Sequence, residues 1–296
     1  MDFAVSGGVF NLYKPVGITS HDLVDSVRRN LPGKCGHTGT LDPFARGVML
    51  VCWGKATRLA ALFQDLPKTY RAWIRFGIET DTFDVNGTLT AWNDSPVKEA
   101  VLRDLLGQFQ GECRQTVPPY SARKYRGKPL YCYARNGLPV PLAEKTVWIE
   151  HLELCSFEGN RFAAVELLVK CSSGTYIRSL ARDLGRRLGP GACLVSLRRE
   201  EVGTFTIDTS VPLKSLIPFQ ERAARHLIPP AEALYWLDEW EIGTDDARFF
   251  IQGNPVRCPH PEAVKSPLVK VVMNTLFLGI GRVDPTERVV RPEIVF

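Results

Sequence analysis

The chain has 296 residues, 45% hydrophobic and 23% charged, which is the composition of a soluble globular protein. Its length suits one large domain with a small one beside it, and a net charge of +5 permits a polyanionic partner without establishing one. Cys35, Cys52, Cys113, Cys132, Cys155, Cys171, Cys193 and Cys258 form no Cys-x-x-Cys pair, which excludes a zinc ribbon and a thioredoxin-type site.

Cys258-Pro259-His260 is too isolated to supply four metal ligands. The first residues carry Asp2 and no long apolar core, and no run of 18 apolar residues occurs, so secretion and membrane insertion are not expected. The thiols therefore read as reduced groups of a cytosolic protein.

In chain order, Val9–Tyr13 alternates as a short strand, broken by Lys14–Ser20. Ser20 is placed to cap a helix with Leu23, Val24, Val27 and Leu31 on one face. After a glycine-rich loop, Val48–Trp53 is a continuous apolar run that fits a buried strand. Thr57–Gln64 reads as a short helix, Tyr70–Phe76 as a half-buried strand, and Gly77–Gly87 as a polar loop ending in an Asn-Gly turn. A helix is predicted after Ser95 as cap and Pro96 at its first position, with Leu102, Leu105, Leu106 and Phe109 at helical spacing and Gly111 ending it.

From Tyr120 to Arg135 four tyrosines alternate with Arg123, Lys124, Arg126, Lys128 and Arg135, and no acid intervenes. Bases stack on tyrosines while phosphates pair with cations, so the composition suits a nucleic-acid surface. It suits equally a solvated basic loop with tyrosines beneath it. Strands follow at Thr146–Leu154 and Phe162–Cys171, then Ser172–Thr175 leads into a helix from Tyr176 to Leu188, with Ile177, Leu180, Ala181, Leu184 and Leu188 as its apolar stripe. Arg178, Arg182 and Arg186 recur on another face. Arg178 sits in the first turn, where the helix dipole disfavours a cation unless an anion meets it, so it is expected to have a carboxylate or phosphate partner. Arg182 and Arg186 are expected at the surface. Beyond Pro229-Pro230, Leu237–Phe296 holds short apolar runs between turns, which predicts a small β-barrel or sandwich.

The chemistry concentrates on Gly36-His37-Thr38-Gly39-Thr40-Leu41-Asp42-Pro43. Its glycines allow tight turns, and Pro43 pushes Asp42 towards extended backbone, leaving one carboxylate on an irregular loop. Alone, Asp42 reads as a turn-former, His37 as a turn residue, Tyr70 and Leu197 as core, and Tyr176 as core or ligand. No Walker loop, Rossmann fingerprint, Gly-x-Ser-x-Gly elbow or His-Glu-x-x-His occurs. A single aspartate still serves as a nucleophile when a cation keeps it ionised, and Arg178 is the candidate.

Taken together, Lys14–Ser20, Gly36–Pro43, Lys68-Thr69-Tyr70, Ser173–Gly185 and Leu197-Arg198-Arg199 resemble the motifs of the TruB family of tRNA pseudouridine synthases. The tail, with Gly279-Ile280-Gly281 and Pro292, resembles a PUA domain, and Lys145 stands where the family pattern has an arginine. The resemblance implies an α+β fold: a mixed, mainly antiparallel sheet with flanking helices and an RNA-gripping insertion at 115–147. It implies a catalytic domain over 1–232 and a small β-rich PUA-like domain over 233–296. It further implies isomerisation of the uridine at position 55 in the TΨC loop of tRNA, with no metal, redox cofactor or ATP.

By motif, Asp42 is the catalytic carboxylate, Arg178 its partner, and Tyr70 stacks on the flipped base and can serve as general base at C5. Tyr176 and Leu197 line the base pocket, and His37 fills the gap that the uridine leaves. The implied partner is tRNA, met in the cytoplasm by a monomer that needs no membrane and no obligatory protein partner. Two alternatives remain: a guide-RNA-dependent relative of the same family, and a non-catalytic tRNA-binding or folding module.

Overall fold

The computed structural model describes residues 7–139, 143–159, 161–216 and 219–296. Residues 1–6, read above as lacking a signal peptide, and 140–142 of the expected insertion lie outside the described residues. The chain opens with β1 (Gly7–Lys14), α1 (Ser20–Asn30), β2 (Cys35–His37) and β3 (Arg46–Gly54). Thr19, not Ser20, caps α1: its hydroxyl accepts from the Asp22 N–H at 3.0 Å, and the Asp22 carboxylate accepts from the Thr19 N–H at 2.8 Å. The Ser20 side chain is unavailable because it exchanges hydrogen bonds with Leu41, as described below.

Next come α2 (Ala60–Gln64), β4 (Lys68–Phe76), β5 (Ile78–Thr80), β6 (Leu89–Trp92), α3 (Glu99–Gln108) and β7 (Gly111–Thr116). The predicted cap of α3 is also displaced, from Ser95 to Lys98. Ser95 is engaged in an Asx turn, its N–H and hydroxyl both donating to Asn93 Oδ1. Gly111 begins β7 rather than ending the helix, which stops at Gln108. The chain continues through β8 (Lys124–Tyr125), β9 (Lys128–Pro129), α4 (Leu130–Arg135), β10 (Glu144–Glu158), β11 (Ala164–Cys171), α5 (Ile177–Leu188) and β12 (Ala192–Val202). Two short strands, β13 (Phe205–Thr206) and β14 (Val211–Pro212), and helices α6 (Phe219–His226) and α7 (Pro230–Ala233) lead to the C-terminal segment.

The main sheet runs β14-β1-β3-β12-β4-β11-β10-β7, with β2 paired to β3 and β13 to β12. Pairings β1/β14 and β3/β12 are parallel and the others antiparallel, as the mixed, mainly antiparallel expectation requires. Alternation along β3 divides its apolar run between two cores. Met49, Val51 and Trp53 join Leu23, Val24 and Val27 of α1, whereas Val48, Leu50 and Cys52 join Phe63, Leu234 and Ile280. This double burial explains why the run lacks a polar face.

The C-terminal segment has β15 (Asp238–Glu241), α8 (Thr244–Ile251), β16 (Val256–Arg257), β17 (Leu268–Met273), β18 (Leu276–Asp284) and β19 (Val289–Val295). They form a five-stranded sheet ordered β15-β17-β18-β19-β16, on which Phe250 of α8 packs with Val269, Val271 and Val290.

Candidate active site

The loop joining β2 to β3 is irregular, so its backbone polar groups need partners from elsewhere. Three buried side chains supply them. Lys14 continues the inward register of Phe10 and Leu12, and its ammonium donates to the carbonyls of Asp42 (3.2 Å), Pro43 (3.5 Å), Ala45 (2.7 Å) and Pro15 (3.1 Å). Ser20 Oγ donates to the Leu41 carbonyl at 2.9 Å and accepts from the Leu41 N–H at 2.8 Å. Arg199 donates from Nε to the Val48 carbonyl and from Nη2 to the Gly39 carbonyl. Gly47 lets these elements close up: at φ 113°, a Cβ there would stand 2.2 Å from the Arg199 carbonyl. Burial pulls the Lys14 ammonium down to about 8, with the Asp42 charge opposing the fall.

Asp42 projects from this loop with its side chain 30% exposed, and Arg178 grips it side-on. Nε lies 2.9 Å from Oδ2, and Nη2 donates to Oδ1 at 3.0 Å. The remaining donors of Arg178 are also engaged: Nη2 with the Tyr120 carbonyl at 2.9 Å, and Nη1 with the Thr82 carbonyl at 3.0 Å and Asp84 Oδ2 at 3.4 Å. Arg178 is thus the buried hub of two carboxylates and two carbonyls, which satisfies the anionic partner that its place in the first turn of α5 demands. Asp84 is itself buried. Desolvation pushes its carboxyl up, while Arg178, the Asn86 N–H and the Thr82 hydroxyl act against that rise.

Tyr70 is buried on β4, opposite Arg199 of β12 in the register. Burial pushes its phenol up, Arg199 opposes through charge and a hydrogen bond, and the Asp42 charge adds to the rise. Tyr70, Arg199 and Asp42 therefore share one electrostatic neighbourhood. Leu197 lies on the same core side of β12 and packs in the cluster containing Tyr70 and Leu41. His37 ends β2, half-buried, with Nδ1 accepting from the Gly39 N–H at 3.4 Å. Burial, with Arg199 and His21, pulls His37 down and so favours the uncharged imidazole. Tyr176 caps α5, its N–H donating to Gln115 Oε1 at 2.9 Å.

Three groups at the site have no role in the sequence reading: Asp84 with the Thr82 carbonyl, and Lys14 and Arg199, which stand there only as motif residues. For Lys14 the available signal was strand alternation through Phe10 and Leu12. For Asp84 it was the Thr-x-Asp-x-Asn spacing in the Gly77–Gly87 loop. Arg182 requires a correction. Expected at the surface, it is 5% exposed, because its guanidinium lies 4.6 Å from the Phe83 ring centroid and bonds Asp183. Arg186 is exposed as expected, near Glu79.

In the expected insertion, part of the Tyr120–Arg135 composition is structural. Tyr125 and Tyr133 pack edge to face at 5.7 Å, with the Tyr133 hydroxyl donating to the Tyr125 carbonyl. Tyr131 and the cations Arg123, Lys124, Arg126, Lys128 and Arg135 remain exposed. Lys145 reaches the Ser173 carbonyl at 3.4 Å. Among the described residues, no cluster of three or more His, Cys, Asp and Glu side chains could hold a metal ion; Cys258 is buried, while His260 faces Glu262.

An α+β sheet with its helices thus presents a partly exposed loop carboxylate gripped by a buried arginine. The family comes from comparison. The TruB family pseudouridylate synthase N-terminal domain matches residues 28–177. The tRNA pseudouridylate synthase B C-terminal domain matches 178–235, and the pseudouridine synthase II TruB C-terminal domain matches 239–296. The chain is 45% identical to tRNA pseudouridine synthase B of Bordetella avium over 80% of its length and 94% of the relative's. It is 40% identical to tRNA pseudouridine synthase B of Aromatoleum aromaticum, over 94% of this chain and 89% of the other. A solved H/ACA RNP bound to a substrate RNA containing 2'-deoxyuridine includes a chain of similar fold, with a TM-score of 0.74 and 25% identity, covering 99% of this chain and 86% of that one. The protein belongs to the TruB family.

Proposed function

We propose that the protein converts the uridine at position 55 of tRNA into pseudouridine. The carrying observation is the partly exposed Asp42 carboxylate, fixed side-on by the buried Arg178 on a loop fastened by Lys14, Ser20 and Arg199. In the net reaction the N1–C1' bond breaks and a C5–C1' bond forms; C5 loses its proton and N1 gains one. Asp42 is the carboxylate that acts at the ribose, and Arg178 orients it. Tyr70, a buried phenol pushed towards its neutral form, stacks on the flipped base rather than acting as a free phenolate. Tyr176 and Leu197 border the base. The neutral His37 ring takes the place of the extruded uridine, offsetting unstacking that costs a few kcal/mol.

The catalytic unit spans 1–232 and the C-terminal RNA-binding unit 233–296, in keeping with the family matches that change over between 235 and 239. The exposed cations of the insertion favour an enzyme that grips tRNA itself, as a monomer without an obligatory protein partner. The names of the relatives favour tRNA as substrate, and an enzyme acting on tRNA would meet it in the cytoplasm. No helix among the described residues is long and apolar enough to cross a membrane.

The test is tritium release from tRNA transcript labelled at uridine C5. Release from the normal transcript, and none attributable to position 55 when cytidine replaces that uridine, is expected. Release that requires an added guide RNA would favour the relative found in H/ACA particles. Binding without release would leave a tRNA-folding module.

A further inference from the structure

We infer that Arg182 and Phe83 are positioning residues of this site, acting together to aim the Thr82–Asp84 turn at Arg178. Arg178 and Arg182 are one turn apart on α5 and face the same segment. Arg178 takes its carbonyl partner from Thr82 and its second carboxylate from Asp84, so the residue between them decides whether both converge on one guanidinium. That residue is Phe83, and its φ of 64° is the left-handed conformation, which an aromatic side chain rarely adopts. Such a conformation persists only where its surroundings over-determine it. Here the Phe83 N–H donates to the Thr80 carbonyl at 3.2 Å, and its carbonyl accepts from the Leu194 N–H at 3.1 Å. The Arg182 guanidinium lies 4.6 Å from the ring centroid, itself fixed by Nε and Nη2 bonds to Asp183 Oδ1 at 2.8 and 2.6 Å. The first arginine reads the turn's polar groups, and the second holds its ring.

This inference rests on the proposed isomerase activity, and its test separates the two. Tritium release and thermal stability are measured for wild type, Arg182→Met, Phe83→Leu, Phe83→Tyr and Asp84→Asn, alone and with Arg182→Met added to Asp84→Asn. The expected result is a drop of about 10-fold or more in kcat for Arg182→Met and Phe83→Leu, with KM for tRNA within about twofold. Phe83→Tyr, which keeps the ring, stays near wild type. Arg182→Met adds little to Asp84→Asn, because both act through one guanidinium. Unchanged kcat in folded Arg182→Met, or penalties that multiply in the double variant, overturns the inference. If Arg182→Met does not fold, Phe83→Leu decides; if neither folds, the pair serves the fold alone and the inference fails. A wild type without release defeats the functional reading as well, whereas active wild type with equally active variants defeats only this one.

Discussion

The cations around Asp42 and those of the insertion are of the same residue types but are used in opposite ways. Lys14, Arg178 and Arg199 are 0%, 5% and 2% exposed, and each donates to carbonyls or carboxylates of the protein. In the insertion, Arg126 and Arg135 lie over Tyr125 and Tyr131 at 5.3 and 5.4 Å, with their charges in water. A cation that fastens a loop is desolvated and bonded within the protein, so removing it strands its partners. A cation left in water is free to meet phosphate, and removing it disturbs little of the free protein.

Breaking the buried set should have the largest effect. Arg178→Met leaves Asp42 and Asp84 without their shared partner. It is expected to lose about 3–5 kcal/mol of stability and to abolish tritium release, read by denaturant melts beside the turnover assay. Arg178→Lys should not restore turnover, because an ammonium cannot reproduce the side-on fork. Asp84→Asn keeps the shape of the turn and removes one charge from the hub, so turnover should fall about 10²-fold while tRNA affinity holds, measured as kcat against filter-binding Kd.

Lys14 sharpens the contrast through pH. Its folded value of about 8 lies below its ordinary 10.5, so between these pH values the unfolded chain holds the extra proton. Wild-type stability relative to Lys14→Met should therefore be flat below pH 8, then rise towards 10.5 by at most about 3 kcal/mol, read from urea melts across pH. The smallest effect belongs to the exposed set. Arg126→Ala with Lys128→Ala should leave stability within about 0.5 kcal/mol and kcat unchanged, while the salt slope of tRNA binding falls by about 2.

The same contrast governs what could be read from the sequence. Alternation along Tyr70–Phe76 and the apolar run Val48–Trp53 are local signals, and both strands form where they indicate. The poor fit of a cation to the first turn of α5 identified Arg178 as the arginine in need of an anion, and Asp42 meets it across 136 residues of chain. The same reasoning failed for Arg182, because helical spacing does not reveal that a phenylalanine from a distant turn covers that face. Ser20 and Ser95 were plausible caps whose side chains had been taken, one by Leu41 and one by Asn93. The burial of Lys14, which opens one of the family motifs, is not legible because lysine ordinarily marks a solvated position; only the carbonyls gathered around it make its burial tolerable.

On the proposed function, one carboxylate held by Arg178 carries the reaction. Asp42→Asn keeps the side-chain shape while removing the charge, and its tritium release is compared with wild type alongside tRNA binding. Binding near wild type with release lower by at least about 10³-fold is the predicted result. Release within a few-fold of wild type would mean that the reaction does not depend on the Asp42 charge.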